Sequence, residues 1–388
     1  MSRYRFKKII RREGLHQPRK SKTRLAWAYQ FKGPSHRFRG FPRQFRGGRN
    51  LACRARFVEI FLTISRRTFN AAGSIFSVLT VAGCGGGGGG SGGGGAGNGA
   101  WPANSPGASK AETSGFVSVN GKNLYHVSVG KGIPVVFLHG GLGLDHQYFR
   151  PFIDPLADNA QIICYDQLGQ GKSDRPANFD ELTLERLSSD CNVLTKALGI
   201  DKFVLVGHSY GGFIALDFAL RFPHRLAGLV LSCTAPDTSS FVQRSPLGGT
   251  PAQQAALGQL LLAPTASDED LRKKWAEVEA LYYNNASPPA GVLADVDQRT
   301  IYSAAAFNRG NQLLADYNFV LRLPSINVPT AVHYGAGDIW RFGDDEKLAK
   351  SIPGATLKYF ANSGHWPFQE EPAEFVRYMR SFIASLPN

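Results

Sequence analysis

Gly207-His208-Ser209-Tyr210-Gly211 follows the apolar run Lys202-Phe-Val-Leu-Val206 and opens into Gly212-Phe-Ile-Ala-Leu-Asp-Phe-Ala-Leu220. The order predicts a buried strand, a tight turn and a helix, with Ser209 at the tip of the turn. A serine presented this way needs small neighbours, because a side chain at either flanking glycine meets the strand or the helix. The helix start behind it adds free N–H groups and a positive dipole end. A serine hydroxyl is a weak nucleophile near neutral pH, so the turn predicts a histidine base and a carboxylate that orients it, in the chain order serine, acid, histidine.

Of the nine histidines only His333 and His365 lie far enough downstream. His333 falls inside Pro329-Thr-Ala-Val-His-Tyr334, which reads as a strand, and is expected to be a packed strand residue. His365 lies in Asn362-Ser-Gly-His-Trp-Pro367, a turn after the strand Ala355-Thr-Leu-Lys-Tyr-Phe360, and is the predicted base. Asp338 ends Tyr334-Gly-Ala-Gly-Asp338 just past the His333 strand and is the predicted acid. Asp344 and Asp345 read as solvated or helix-capping residues of a polar loop.

Charge developing on an attacked carbonyl calls for two backbone N–H donors. Tyr210, directly after Ser209, is expected to supply one. The strand Ile133-Pro-Val-Val-Phe-Leu138 runs into His139-Gly140-Gly141-Leu142-Gly143, where Gly141 is the leading second donor and Leu142 the next. Gly171-Lys172-Ser173 matches the end of a phosphate-binding loop, but the first position of that motif falls on Asp166. A carboxylate there repels phosphate, so the segment is read as a structural turn.

The HGG loop, Tyr165-Asp-Gln-Leu-Gly-Gln-Gly-Lys-Ser-Asp174, the GHSYGG turn, the GAGD turn and the SGHWPFQEEP end resemble the α/β-hydrolase superfamily over about Gly115 to Asn388. Within it the YDQLGxGxSD wording is most similar to the proline iminopeptidase and tricorn-interacting aminopeptidase group of serine peptidases. That group usually shows HGGPG, and here Leu142 stands in place of the proline. The resemblance implies an α/β fold with a mostly parallel, doubly wound sheet and a helical cap before the acid-bearing strand. The hundred or so residues between Leu226-Ala-Gly-Leu-Val-Leu-Ser232 and Val328 have no strand rhythm, and the cap is placed at about 237–326.

Within the cap, Ser267-Asp-Glu-Asp270 has the form of a capping box, and Leu271, Trp275, Val278 and Tyr282 follow at helical spacing as packing residues. The resemblance implies cap carboxylates that hold a substrate's free amino group. Glu277 and Glu279 are the nearest candidates, and Glu279 lies beside the apolar stripe; the alternative for both is a solvated helix flank. Trp366, next to the base, is a second candidate substrate contact.

The formal net charge of +14 is carried by the N-terminal part. Before Cys84 there are 20 Lys and Arg against Glu13 and Glu59, leaving 24 basic and 28 acidic residues beyond, a mildly acidic remainder. The high isoelectric point is therefore no argument for nucleic-acid binding. Residues 1–60 read as a basic, disordered segment or a mis-assigned start, since no methionine occurs between Met1 and Met379. Residues 61–83 resemble a twin-arginine lipoprotein signal: Ser65-Arg66-Arg67-Thr68-Phe69, an uncharged stretch from Ala71, and Val81-Ala82-Gly83-Cys84 in the form of a lipobox. Cys84 is the expected site of lipidation, and 84–114 a Gly/Ser-rich tether with a reach of about 30 Å. The catalytic domain at 115–388 is thus expected on the outer, extracytoplasmic face of the cell membrane.

Cys164, Cys191 and Cys233 have no metal-ligand spacing and are expected to be buried free thiols. The predicted protein is a cofactor-free, metal-free serine hydrolase using Ser209, His365 and Asp338 through an acyl-enzyme, most like an aminopeptidase acting on short peptides. A carboxylesterase or lactonase acting on small molecules is the alternative within the same chemistry. A tethered binding module without activity is the alternative of another class.

Overall fold

A computed structural model describes residues 111–238, 248–314, 317–340 and 344–387. The basic segment, the signal-like stretch, Cys84 and nearly all of the Gly/Ser tether lie outside the described residues.

The core is one eight-stranded sheet in the order β1-β2-β4-β3-β5-β6-β7-β8. Its strands are β1 (Glu112–Val119), β2 (Lys122–Gly130), β3 (Ile133–Leu138), β4 (Ala160–Tyr165), β5 (Phe203–His208), β6 (Leu226–Ser232), β7 (Thr330–Gly335) and β8 (Thr356–Phe360). β2 pairs antiparallel with β1 and with β4, and every pairing from β4 to β8 is parallel. The parallel strands are covered on both faces, which is why β3 and β5 are nearly continuous apolar runs. The predicted strand at Lys202 to Val206 continues through His208, so the strand delivers its chain directly to Ser209.

The hairpin of β1 and β2 is an addition to the sequence reading, and β1 begins at Glu112, ahead of the boundary drawn at 115. Asn120 (φ 48°) and Gly121 (φ 79°) both take the left-handed region, the pattern of a two-residue type I′ hairpin turn.

Helices α1 (Leu184–Ala197) and α2 (Tyr210–Arg221) pack on one face of the sheet. Leu187, Leu194, Ile214 and Phe218 meet Val136, Leu205 and Leu231 there. The cap supplies α3 (Pro251–Leu262), α4 (Asp268–Val278), α5 (Val292–Arg299) and α6 (Ala304–Leu313), and the C-terminal part α7 (Asp344–Ser351), α8 (Pro367–Glu370) and α9 (Pro372–Ala384). Phe375 and Met379 of α9 join Val135, Val204 and the cap residues Leu271, Trp275 and Val278 in the core of the other face. No helix among the described residues is long and apolar enough to cross a membrane.

The four cap packing residues are buried as expected. The capping box closes differently: Ser267 accepts the N–H of Asp270, but Asp270 accepts from Ala266 instead of Ser267. Asp344 and Asp345 are both buried, which corrects the solvated alternative of the sequence reading and leaves the helix-terminus one. They open α7, where the helix dipole favours carboxylates, so apparent loop polarity belongs to a helix N-terminus packed against the core.

His333 is fully buried on β7, as expected, ringed by Phe360, Phe375 and Tyr378. Among the described residues neither ring nitrogen has a hydrogen-bond partner. Burial, aided by nearby Lys358, pushes its pKa down to about 3. A histidine whose folded pKa lies below the unfolded 6.5 leaves stability intact above pH 6.5 and removes it as pH falls toward 3. Between pH 6.5 and 5 the loss is about 2 kcal/mol. The stability of the parent relative to His333→Leu, from urea unfolding of both at pH 7 and pH 5, is expected to fall by about that amount between the two pH values.

Candidate active site

β3 sends its chain to β4 on one side while β5 lies on the other, so the strand order reverses between β3 and β5. Ligands of open α/β sheets bind at such a switch, outside the carboxyl ends of the strands. Every predicted site residue of the sheet emerges at that edge: the HGG loop after β3, Ser209 after β5, Asp338 after β7 and His365 after β8.

Ser209 has φ 54° and ψ −121°, a backbone state rare for a residue with a side chain. Its N–H is held by the carbonyl of Ser232 at the end of β6, 2.9 Å away. The flanking glycines are required by contact: a Cβ at Gly207 would lie 2.5 Å from the Gly211 carbonyl oxygen, and one at Gly211 2.2 Å from that of Leu138. Tyr210 is the first residue of α2, so its N–H has no carbonyl partner within the helix.

His365 and Asp338 meet as predicted. His365 Nδ1 lies 2.9 Å from Asp338 Oδ2, with both side chains buried. Asp338 Oδ1 accepts the N–H of Trp340 at 2.9 Å, which fixes the carboxylate plane. A carboxylate on Nδ1 keeps the proton there and leaves Nε2 with its lone pair.

In the HGG loop a Cβ on Gly140 would lie 2.6 Å from Ser209 Cβ, so the loop's bare backbone lies against the serine. Gly140 donates to the Tyr148 hydroxyl, Gly143 to Gln170 Oε1 at 2.6 Å and Leu144 to the Gly141 carbonyl at 2.9 Å. None of these bonds uses the N–H of Gly141 or Leu142, the first and second candidates for the donor expected from this loop beside Tyr210. Gly141 takes φ +47°, a left-handed turn suited to glycine. Leu142 is buried against Gly310 of α6, where a Cβ would lie 2.7 Å from the leucine's own. The leucine that stands where the resembled group has proline is thus housed by a glycine of the cap.

Asp166 settles the phosphate-loop alternative. Its carboxylate fills the turn, accepting from Lys172 N at 2.8 Å and meeting His146 Nδ1 at 2.6 Å. A Cβ on Gly171 would lie 2.3 Å from Asp166 Oδ2.

Glu277 is exposed, whereas Glu279 is buried in the turn after α4. Among the described residues no Lys or Arg lies within ion-pair distance of Glu279, and burial pushes its carboxyl up to about 7 against a hydrogen bond from Trp275. Trp275 packs on Tyr282, and Tyr282 packs edge-on to His365 with ring centroids 5.3 Å apart. Trp366 is buried beside His365, and its indole N–H has no partner among the described residues.

Three residues escaped the sequence reading. Glu370 accepts the N–H groups of Gly364 and of Asn284 in the cap, each at 2.7 Å, and that of Trp366, so one carboxylate grips the base loop on both sides of His365. Burial still raises it to about 7. His208 and Tyr148 form a second buried connection beneath the site. Only the tertiary fold brings these groups together; the glutamate pair in SGHWPFQEEP was the one local signal.

Cys164, Cys191 and Cys233 are buried and free, as expected. Ligand atoms of His208, Cys233 and His365 come within 4.8 Å of one another. Both nitrogens of His208 are hydrogen bonded and burial pushes the Cys233 thiol well up, so the donor chemistry is that of packing around Ser209.

Residues 133–372 match the alpha/beta hydrolase fold family. The chain is 29% identical over 269 residues to a proline iminopeptidase of Lactobacillus crispatus, covering 64% of this chain and 89% of that one. It is 27% identical over 286 residues to a cis-3-alkyl-4-alkyloxetan-2-one decarboxylase of Shewanella oneidensis, covering 69% and 87%. Among solved structures, an esterase from Exiguobacterium antarcticum superposes with a TM-score of 0.59 at 25% identity, over 70% of this chain and all of that one. With its sheet order, its strained serine turn and this match over most of the described chain, the protein belongs to the alpha/beta hydrolase fold family.

Proposed function

We propose that the protein is a serine aminopeptidase similar to proline iminopeptidases. Ser209 attacks the scissile carbonyl, His365 takes its proton through Nε2 and returns it to the leaving amine, and water then resolves the acyl-enzyme. Asp338 holds His365 in the tautomer that has Nε2 free. Tyr210 and Gly141 donate N–H bonds to the oxyanion. The buried pair of His365 and Asp338 behind a strained serine supports the hydrolase chemistry.

The observation that carries the peptidase reading is Glu279: a buried carboxyl of the cap with no cation beside it among the described residues, two ring contacts from His365. An isolated buried carboxylate is unfavourable, and an ammonium ion from a substrate's N-terminus relieves it. Aminoacyl arylamides with a free amino end, prolyl among them, are expected to be cleaved, their N-acetylated counterparts resisted, and the cleavage absent in Ser209→Ala. Turnover of p-nitrophenyl esters alone would favour esterase chemistry, the reading that the Exiguobacterium esterase supports. A chain that neither cleaves nor reacts with a fluorophosphonate would be a binding module.

We also infer a lipid tether at Cys84 that sets the domain on the outer face of the membrane. Intact mass of the native protein tests it: an N-terminus at Cys84 carrying acyl chains is the expected result, and an unmodified Cys84 in a longer chain overturns it.

A further inference from the structure

We infer that Tyr148 and His208 are positioning residues, forming one buried hydrogen-bond chain that sets the HGG loop and the His365 loop against the serine turn; this rests on the serine-hydrolase reading above. Gly140 donates its N–H to the Tyr148 hydroxyl. That hydroxyl lies 3.0 Å from His208 Nδ1, and His208 Nε2 lies 2.8 Å from the carbonyl oxygen of His365. Tyr148 and His208 are both buried.

Hydrogen-bond chemistry fixes every proton in this chain. A carbonyl only accepts, so His208 Nε2 carries the proton. A neutral imidazole then has its lone pair on Nδ1, which makes Tyr148 the donor and leaves the tyrosine oxygen to accept from Gly140. Burial and the neighbouring His365 hold the His208 pKa well below its ordinary value, so the ring stays neutral at working pH. The two imidazoles sit with centroids 4.9 Å apart, and a charged His208 would oppose the charge that His365 gains during turnover. Since His208 directly precedes Ser209, one ring joins the three loops that must hold the serine, the oxyanion donors and the base in register.

The chain is anchored at its far end. Gln369 donates to the Tyr148 carbonyl at 2.8 Å and accepts from the Tyr283 hydroxyl at 2.6 Å. Tyr148 also packs against Trp366 and Phe368. Removing the hydroxyl in Tyr148→Phe keeps those ring contacts while freeing Gly140 and His208.

The test is the second-order rate constant for fluorophosphonate labelling of Ser209, with kcat and KM on a p-nitrophenyl ester and melting curves alongside. Tyr148→Phe and His208→Leu are expected to label about 10- to 100-fold more slowly, with kcat lowered to match and KM within about threefold, because displaced donors weaken only the transition state. His208→Gln, which offers a donor and an acceptor, is expected to recover most of the rate. The double variant should be no slower than the slower single one, as for two links of one chain. Folded single variants labelled within about threefold of the parent overturn the proposal alone; an unlabelled parent overturns the serine-hydrolase reading as well. If His208→Leu does not fold, nitrogen NMR of the parent decides: a His208 ring protonated at Nε2 and unchanged between about pH 5.5 and 8 is expected, and a titrating ring or the other tautomer overturns it.

Discussion

Asp338→Asn is expected to lower kcat by about four orders of magnitude while leaving KM within a few-fold and the fold intact. The reason is the tautomer. Asp338 Oδ2 accepts from His365 Nδ1 at 2.9 Å, and Oδ1 is already used by the N–H of Trp340. An asparagine whose oxygen stays with Trp340 turns its amide toward His365. It then donates to Nδ1, drives the histidine proton to Nε2 and removes the lone pair that has to take the serine proton. His365→Ala removes the base altogether and is expected to cost about five to six orders of magnitude, as is Ser209→Ala. Combined with each other or with Asp338→Asn, His365→Ala and Ser209→Ala should be hardly worse than they are alone, since the three side chains act as a unit. Ester hydrolysis by each purified variant, with melting temperatures as the folding control, checks the set. Retention of more than a tenth of the parent rate in Asp338→Asn would remove Asp338 from the role of acid.

The fold, the serine turn and the meeting of His365 with Asp338 were legible in the sequence because they are written in local rules. Ser209 is flanked by glycines whose Cβ atoms would collide with backbone, and such steric needs leave a spaced signature. Asp338 and His365 follow strand ends, where turn residues mark the sheet edge. What stayed hidden depends on contacts between distant segments. The Glu370 carboxylate joins the cap at Asn284 to the base loop at Gly364, and Tyr148 reaches His208 across 60 positions. The burial of Asp344 and Asp345 is not visible in the sequence, because two adjacent carboxylates suit a solvated loop and a helix start equally well, and only packing of that helix start on the core decides between them. Asn120-Gly121 carries a hairpin signal, but it joins two antiparallel strands ahead of the strand-and-helix alternation that marks the parallel part of the sheet.

Glu279→Gln separates substrate choice from catalysis, and its effects on activity and on stability are expected to run in opposite directions. The carboxyl is buried, with no cation near it among the described residues, and burial lifts it from an ordinary 4.5 to about 7. A folded pKa above the unfolded one means stability that is full below pH 4.5 and is lost as pH rises through 7, a loss of about 3 kcal/mol by pH 8. Glutamine has no such loss, and its oxygen still accepts from Trp275. The variant is therefore expected to melt no lower than the parent at pH 8. Cleavage of free-amino arylamides should nevertheless fall about 100- to 1000-fold in kcat/KM, since the substrate ammonium loses its counter-charge in a desolvated site. Hydrolysis of a neutral p-nitrophenyl ester should change by less than about threefold. The proposed amine pairing also predicts a pH profile for the parent. Glu279 must ionise, so amine-dependent binding strengthens through about pH 7, and it weakens again near the substrate's own amino pKa of about 8. The ester profile is expected to lack that second, falling limb. A variant that loses ester and arylamide activity alike would make Glu279 a structural group and shift the substrate reading toward esters. An undisturbed arylamide activity would remove the carboxyl from amine recognition altogether.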